Sequence, residues 1–222
     1  MSSIGALLLA FAVSVAATPV VMRLAGRYGF VARLMANRRP PRSTPMLGGV
    51  ALYLGVTLSI LAFGTLGREM LGVLIGGTLI FVLGLVDDVL QIKPSTKFLG
   101  QILASCVVLY AGLGFDLIPN PFLRLFLTIL WIVGITNAFN LLDNMNGLSA
   151  GIASIAAFFF GVVMCESGQL PIALISFALC GATVGFLAAW HFTHVEQYSV
   201  LVAFLRKGRS SLRRRRLCSP HL

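Results

Sequence analysis

Residues 70–88 read MLGVLIGGTLIFVLGLVDD. The seventeen positions from Met70 to Val86 carry no charge, and then two carboxylates, Asp87 and Asp88, stand side by side. About 20 mostly apolar residues are enough for a helix to cross ~30 Å of hydrocarbon, so this stretch reads as a membrane span. An Asp at the centre of such a span costs roughly 2.5–3.5 kcal/mol on insertion scales, and a neighbouring like charge adds to that. The pair therefore belongs at the water-facing end of the helix, where chemistry would justify it.

The rest of the chain repeats the pattern. Of its 222 residues 58% are hydrophobic and only 11% charged, and the mean hydropathy is +0.93. A soluble domain carries about 25% charged residues, so the composition is that of an integral membrane protein. Seven segments are long and apolar enough to span: roughly 3–22, 46–66, 70–88, 98–115, 122–140, 148–165 and 170–190. The expected fold is all-α, a polytopic bundle of about seven transmembrane helices. No basic residue precedes the first apolar run, so that run reads as a retained span and not a cleaved signal. Residues 1–190 form one transmembrane unit, and 191–222 an atypical basic tail.

The net charge is +10, and its distribution is uneven. With the N-terminus outside, one side of the membrane holds the loops 23–45, 87–97 and 141–147 and the tail after 190. That side carries fifteen of the seventeen Lys and Arg residues. Positive charge marks the cytoplasmic face, which sets the C-terminus and the two carboxylates inside the cell. The same rule explains the basic residues without a nucleic-acid partner. Outer loops are short: GTLGRE (64–69), GLGFDLIPNP (112–121) and ESGQLP (166–171). Cys106, Cys165, Cys180 and Cys218 have no zinc-site spacing and read as small apolar core residues. The pairs Gly48-Gly49 and Gly76-Gly77 suit close helix packing.

Four polar clusters fall on the cytoplasmic side. RRPPRSTPMLGG (38–49) joins arginines, including Arg42, to the hydroxyls of Ser43 and Thr44 near a helix start. That set suits a phosphate, or simply a basic loop that anchors the next span. Asp87 and Asp88 suit a bound Mg²⁺ or a general base, or end the span as solvated charges. In KPSTKFLGQ (93–101), Lys97 and Gln101 are four apart and share a helix face, within reach of a phosphate or sugar. Lysines in that setting also serve as snorkelling anchors. In NAFNLLDNMNG (137–147), Asn137, Asn140 and Asn144 share a face and Asp143 lies beside them. Such amides can read a nucleobase or sugar hydroxyls, or form a polar seam between helices. Together the clusters suit a phosphorylated substrate held at the membrane surface. A small-solute transporter, a more distant alternative, would carry such residues near the midplane.

Three motifs in order and spacing, STPMLGG (43–49), GLVDDVLQIKPSTKFLGQ (84–101) and NAFNLLDNMNGLSAG (137–151), carry a resemblance. The chain resembles the polyprenyl-phosphate N-acetylhexosamine-1-phosphate transferases over roughly residues 20–187. The arginine beside the first motif looks more like their GlcNAc branch than the MurNAc-pentapeptide branch. The resemblance implies transfer of a sugar 1-phosphate, GlcNAc 1-phosphate first among candidates, from a UDP-sugar to undecaprenyl phosphate. UMP is released, Mg²⁺ is the cofactor, and the active site lies on the cytoplasmic face of a bacterial inner membrane, in cell-envelope glycan synthesis. Asp87 looks like the family's first catalytic aspartate, and Asp88 like its partner near the metal. Lys97 would steady phosphate charge. Arg42, Ser43, Thr44, Asn137, Asn140 and Asp143 would bind substrate, and a homodimer is an assembly the resemblance admits.

Two departures accompany it. Asn146 stands where an acidic residue is usual, which removes a charge. A late motif with a Mg²⁺-binding aspartate, and the spans around it, are not found. After 190 the character changes, as in a truncated or frameshifted gene, and His191 and His194 are not read as metal ligands. The alternative function is therefore a non-catalytic remnant of such a transferase.

Overall fold

The computed structural model describes residues 2–28, 48–115, 118–142 and 147–191. These residues form α1 (Ser2–Tyr28), α2 (Gly48–Phe63), α3 (Arg68–Leu90), α4 (Pro94–Tyr110), α5 (Pro121–Leu142) and α6 (Leu148–Glu166). A last helix, α7, covers Leu170–His191. There is no strand among the described residues, and the all-α polytopic expectation holds. Five helices, α1, α3, α5, α6 and α7, are long and apolar enough to cross a membrane. The two others are shorter. α2 has 16 described residues, and α4 has 17 and opens on a polar turn of Ser95, Thr96 and Lys97. At 1.5 Å per residue, α4 reaches only about 25 Å.

A three-residue reversal of the chain builds the site. α3 stops at Gln91, which adopts the left-handed conformation (φ 49°, ψ 63°) and donates its N–H to the Asp87 carbonyl. Lys93 is extended (φ −61°, ψ 141°) and Pro94 opens α4. The residue before a proline is steered away from helix, while Pro itself fits the first helical turn. Three residues thus return the chain antiparallel to itself. The far end of this helix pair closes where Arg68 donates to the Tyr110 carbonyl and lies over the Tyr110 ring at 5.2 Å. Asn120 then starts α5 by accepting from the N–H groups of Phe122 and Leu123 at 3.0 and 3.2 Å.

Packing inverts the pattern of a soluble protein. On α1, Ala6, Ala10, Ser14 and Thr18 recur every four residues and are fully buried. Large apolar side chains such as Phe122, Trp131 and Phe159 point outward. Between helices in lipid, small residues give close approach and van der Waals contact. α7 sits deepest in this seam. A Cβ at Gly185 would lie 2.6 Å from the Phe11 carbonyl oxygen, and one at Gly181 would overlap that of Leu7. Ile60, Met70, Leu174, Ala178 and Ala182 complete the core with Ala6 and Ala10. α2 joins α3 through a stacked Tyr53–Phe81 pair at 4.1 Å and a 2.7 Å bond between the hydroxyls of Tyr53 and Thr78.

Two packing expectations need correction. Among the described residues only Cys180 belongs to the core, whereas Cys106 and Cys165 are exposed and Cys218 lies outside the described residues; an apolar thiol on an outward helix face meets lipid at no cost. Of the glycine pairs, Gly48 and Gly76 sit against Phe186 and Val108, but Gly49 and Gly77 face open space. Neighbours on a helix point about 100° apart, so one member of each pair turns away.

Candidate active-site cleft

Asp87 lies in the last turn of α3 and Lys97 in the first turn of α4, so the Gln91–Lys93 turn sets them face to face. Lys97 Nζ stands 2.6 Å from Asp87 Oδ2. The side chains are 17% and 25% exposed respectively, so the pair is half-buried and still open to a ligand. Lys97 Nζ also donates to Asn140 Oδ1 of α5 at 3.2 Å. One turn deeper, Gln101 and Asn137 join the same two helices, with Asn137 Nδ2 2.7 Å from Gln101 Oε1. Asn137 Nδ2 also donates to the Val133 carbonyl at 2.9 Å.

Asp87, Lys97, Asn137 and Asn140 line an open cleft of about 600 Å³ with Ile92, Pro94, Ser95 and Phe98. These four residues, read from three of the four polar clusters, meet there. Asp88 is exposed one position further along α3. Arg42, Ser43, Thr44, Asp143, Asn144 and Asn146 lie outside the described residues, as do residues 192–222. The sequence placed Gln101 on the face of Lys97 as a candidate ligand group. It is instead 1% exposed and spent on Asn137. Its signal was the amide-to-amide match between two apolar helices, which leaves each the natural partner of the other.

The cleft combines an acid, a cation and two amides at the start of α4, where the helix dipole favours anions. Among the described residues no group of three or more His, Cys, Asp or Glu could cage a metal ion. Two carboxylates are nonetheless the donor number Mg²⁺ uses when phosphates and waters supply the rest. Asp87 lines the cleft and Asp88 is exposed beside it, a donor set that suits an ion shared with a phosphorylated ligand more than one held by protein alone.

A polytopic helical membrane protein with a charged, amide-lined cleft at one end of its bundle is the class that fold and site define. Residues 70–194 match the family described as glycosyl transferase family 4, and the chain belongs to it. A probable undecaprenyl-phosphate N-acetylglucosaminyl 1-phosphate transferase of Bacillus subtilis is 34% identical over 180 residues, covering 77% of this chain and 50% of that protein. A decaprenyl-phosphate N-acetylglucosaminephosphotransferase of Mycolicibacterium smegmatis is 33% identical, over 77% of this chain and 49% of its own length. A phospho-N-acetylmuramoyl-pentapeptide-transferase of Shouchella clausii is 30% identical, over 82% and 64%. The chain thus spans about half the length of the first two of these relatives.

Proposed function

We propose that this cleft takes the pyrophosphate of a UDP-sugar and the phosphate of a polyprenyl phosphate, and serves transfer of the sugar 1-phosphate to the lipid. GlcNAc is the favoured sugar, because two of the relatives above carry it in their names. The observation that carries the proposal is the contact of Lys97 with both Asp87 and Asn140, at 2.6 and 3.2 Å, inside one cleft. Phosphoryl transfer asks for positioning and charge neutralisation more than for covalent chemistry.

In this reading Asp87 accepts the proton of the lipid phosphate. The freed oxygen attacks the β-phosphorus of the UDP-sugar, a new P–O bond forms, the pyrophosphate P–O bond breaks, and UMP leaves. Lys97 holds the Asp87 carboxylate in place and lends positive charge to the phosphates. Asp88, with Asp87, would hold Mg²⁺, which neutralises pyrophosphate charge when bound. The uneven Lys and Arg distribution supports a cleft on the cytoplasmic side, and the bacterial relatives support a place in the inner membrane.

The test uses the purified 222-residue chain in detergent with UDP-GlcNAc, undecaprenyl phosphate and Mg²⁺. Release of UMP that depends on the lipid is expected. Binding of UDP-GlcNAc without release is the outcome that a non-catalytic remnant requires. A chain that neither binds UDP-GlcNAc nor releases UMP refutes the proposal.

A further inference from the structure

The orientation of two amides on α5 can be read from their neighbours. A backbone carbonyl only accepts hydrogen bonds, so the Asn137 atom that faces the Val133 carbonyl at 2.9 Å is the nitrogen. The second N–H of that nitrogen goes to Gln101 Oε1 at 2.7 Å. Both donors of Asn137 are then used, and oxygen lone pairs are what it has left. The Gln101 nitrogen approaches that oxygen only at 3.5 Å, so the oxygen keeps capacity for a ligand. Asn140 is the reverse. A lysine only donates, so the Asn140 atom 3.2 Å from Lys97 Nζ is the oxygen, and its N–H groups remain for the cleft.

We infer that Gln101 is a positioning residue, which locks the side-chain amide of Asn137 so that Asn137 meets the substrate as an acceptor only. Gln101 is 1% exposed and acts through Asn137 without touching ligand. Asn137 then recognises a hydroxyl or N–H of the sugar nucleotide, and Asn140 an acceptor such as a phosphate or carbonyl oxygen. A flipped Asn137 would set its nitrogen against the donor and its oxygen against the Val133 carbonyl. This inference rests on the proposed sugar-nucleotide site, but the lock itself does not.

The test therefore has two readouts on the full 222-residue chain in detergent. In the first, UDP-GlcNAc binding is measured by calorimetry. Gln101→Met is expected to weaken it roughly tenfold, the scale of one lost hydrogen bond in a buried site. The same substitution in an Asn137→Ala background is expected to add nothing, because Gln101 has no other route to the ligand. Equal losses in both backgrounds would assign Gln101 to the fold alone and overturn the inference. In the second, asparagine is labelled with ¹⁵N and hydrogen exchange of the Asn137 side-chain amide is followed by NMR. Slow exchange is expected in the native chain and in Gln101→Glu, which keeps the acceptor, and fast exchange in Gln101→Met. Fast exchange in the native chain, or no protection in Gln101→Glu, overturns the lock. A native chain that binds no UDP-GlcNAc sinks the proposed function, and the exchange readout then decides the lock alone.

Discussion

Lys97 is the residue on which the cleft turns, since its ammonium group reaches Asp87 on one helix and Asn140 on another. A compact ammonium group can point its three protons at separate acceptors, whereas a guanidinium is a longer, planar fork. Lys97→Arg keeps the charge yet cannot keep both contacts in place. Misplacement of about 1 Å costs up to ~10²-fold, so a fall in turnover of roughly 10- to 100-fold is expected in the UMP-release assay. Rates equal to those of the native chain would show that charge alone matters. Asp87→Asn tests the other partner. Its amide cannot accept a proton from the lipid phosphate, and a drop of at least ~10²-fold is expected, the scale for a lost general base. Far-ultraviolet circular dichroism should stay unchanged, because the residue is at an open helix end. Native turnover in Asp87→Asn would remove it from the chemistry.

Helices locate these residues by how closely they pack, and there glycine contacts decide. At Gly181 a methyl group would run into the Leu7 backbone carbonyl, which cannot rotate away. Gly181→Ala should therefore push α7 off α1 and cost ~1–3 kcal/mol, as overpacking does. Gly77 meets nothing within 4 Å, so Gly77→Ala should be neutral or stabilise by about 0.5–1 kcal/mol through helix propensity. Thermal unfolding in detergent compares the two, and a Gly181→Ala chain as stable as Gly77→Ala would dissolve the α1–α7 seam. That seam was not legible in the sequence. Glycine occurs 23 times, and no local pattern says which copy meets a helix six elements away. Span positions were legible, because an apolar run of sufficient length has few alternatives in lipid. Asp87 and Lys97 were legible as neighbours on one side of the membrane, but not their contact, which depends on the left-handed turn at Gln91. The Gln101–Asn137 pair was half-legible. Its members were singled out, but as ligand groups, because burial is a tertiary property and a polar residue on a helix face looks the same on either side.

At the scale of the whole molecule, three of the polar clusters, those of Asp87, Lys97 and Asn137, converge on one end of the bundle while Arg68 and Tyr110 meet at the other end of α3 and α4. That separation follows from antiparallel helices joined by short turns. It gives the molecule two chemically different ends, and only the orientation in the membrane remains to be assigned. The lysines and arginines favour the cleft end: fifteen of seventeen lie in segments on that side when spans alternate. Cytoplasmic loops carry the excess of Lys and Arg, and a nucleotide-sugar substrate would be met on that side. The α2–α3 turn, with Thr65, should then face outward, and the start of α4, with Ser95, inward. The check is cysteine labelling in intact cells, in a chain whose native cysteines are changed to serine, since Cys106 and Cys165 are exposed. A membrane-impermeant thiol reagent is expected to modify Thr65→Cys at once and Ser95→Cys only after the cells are permeabilised. The opposite order would invert the protein. It would set the cleft on the outer face, away from a cytoplasmic pool of nucleotide sugar, and the transferase proposal would fall with it.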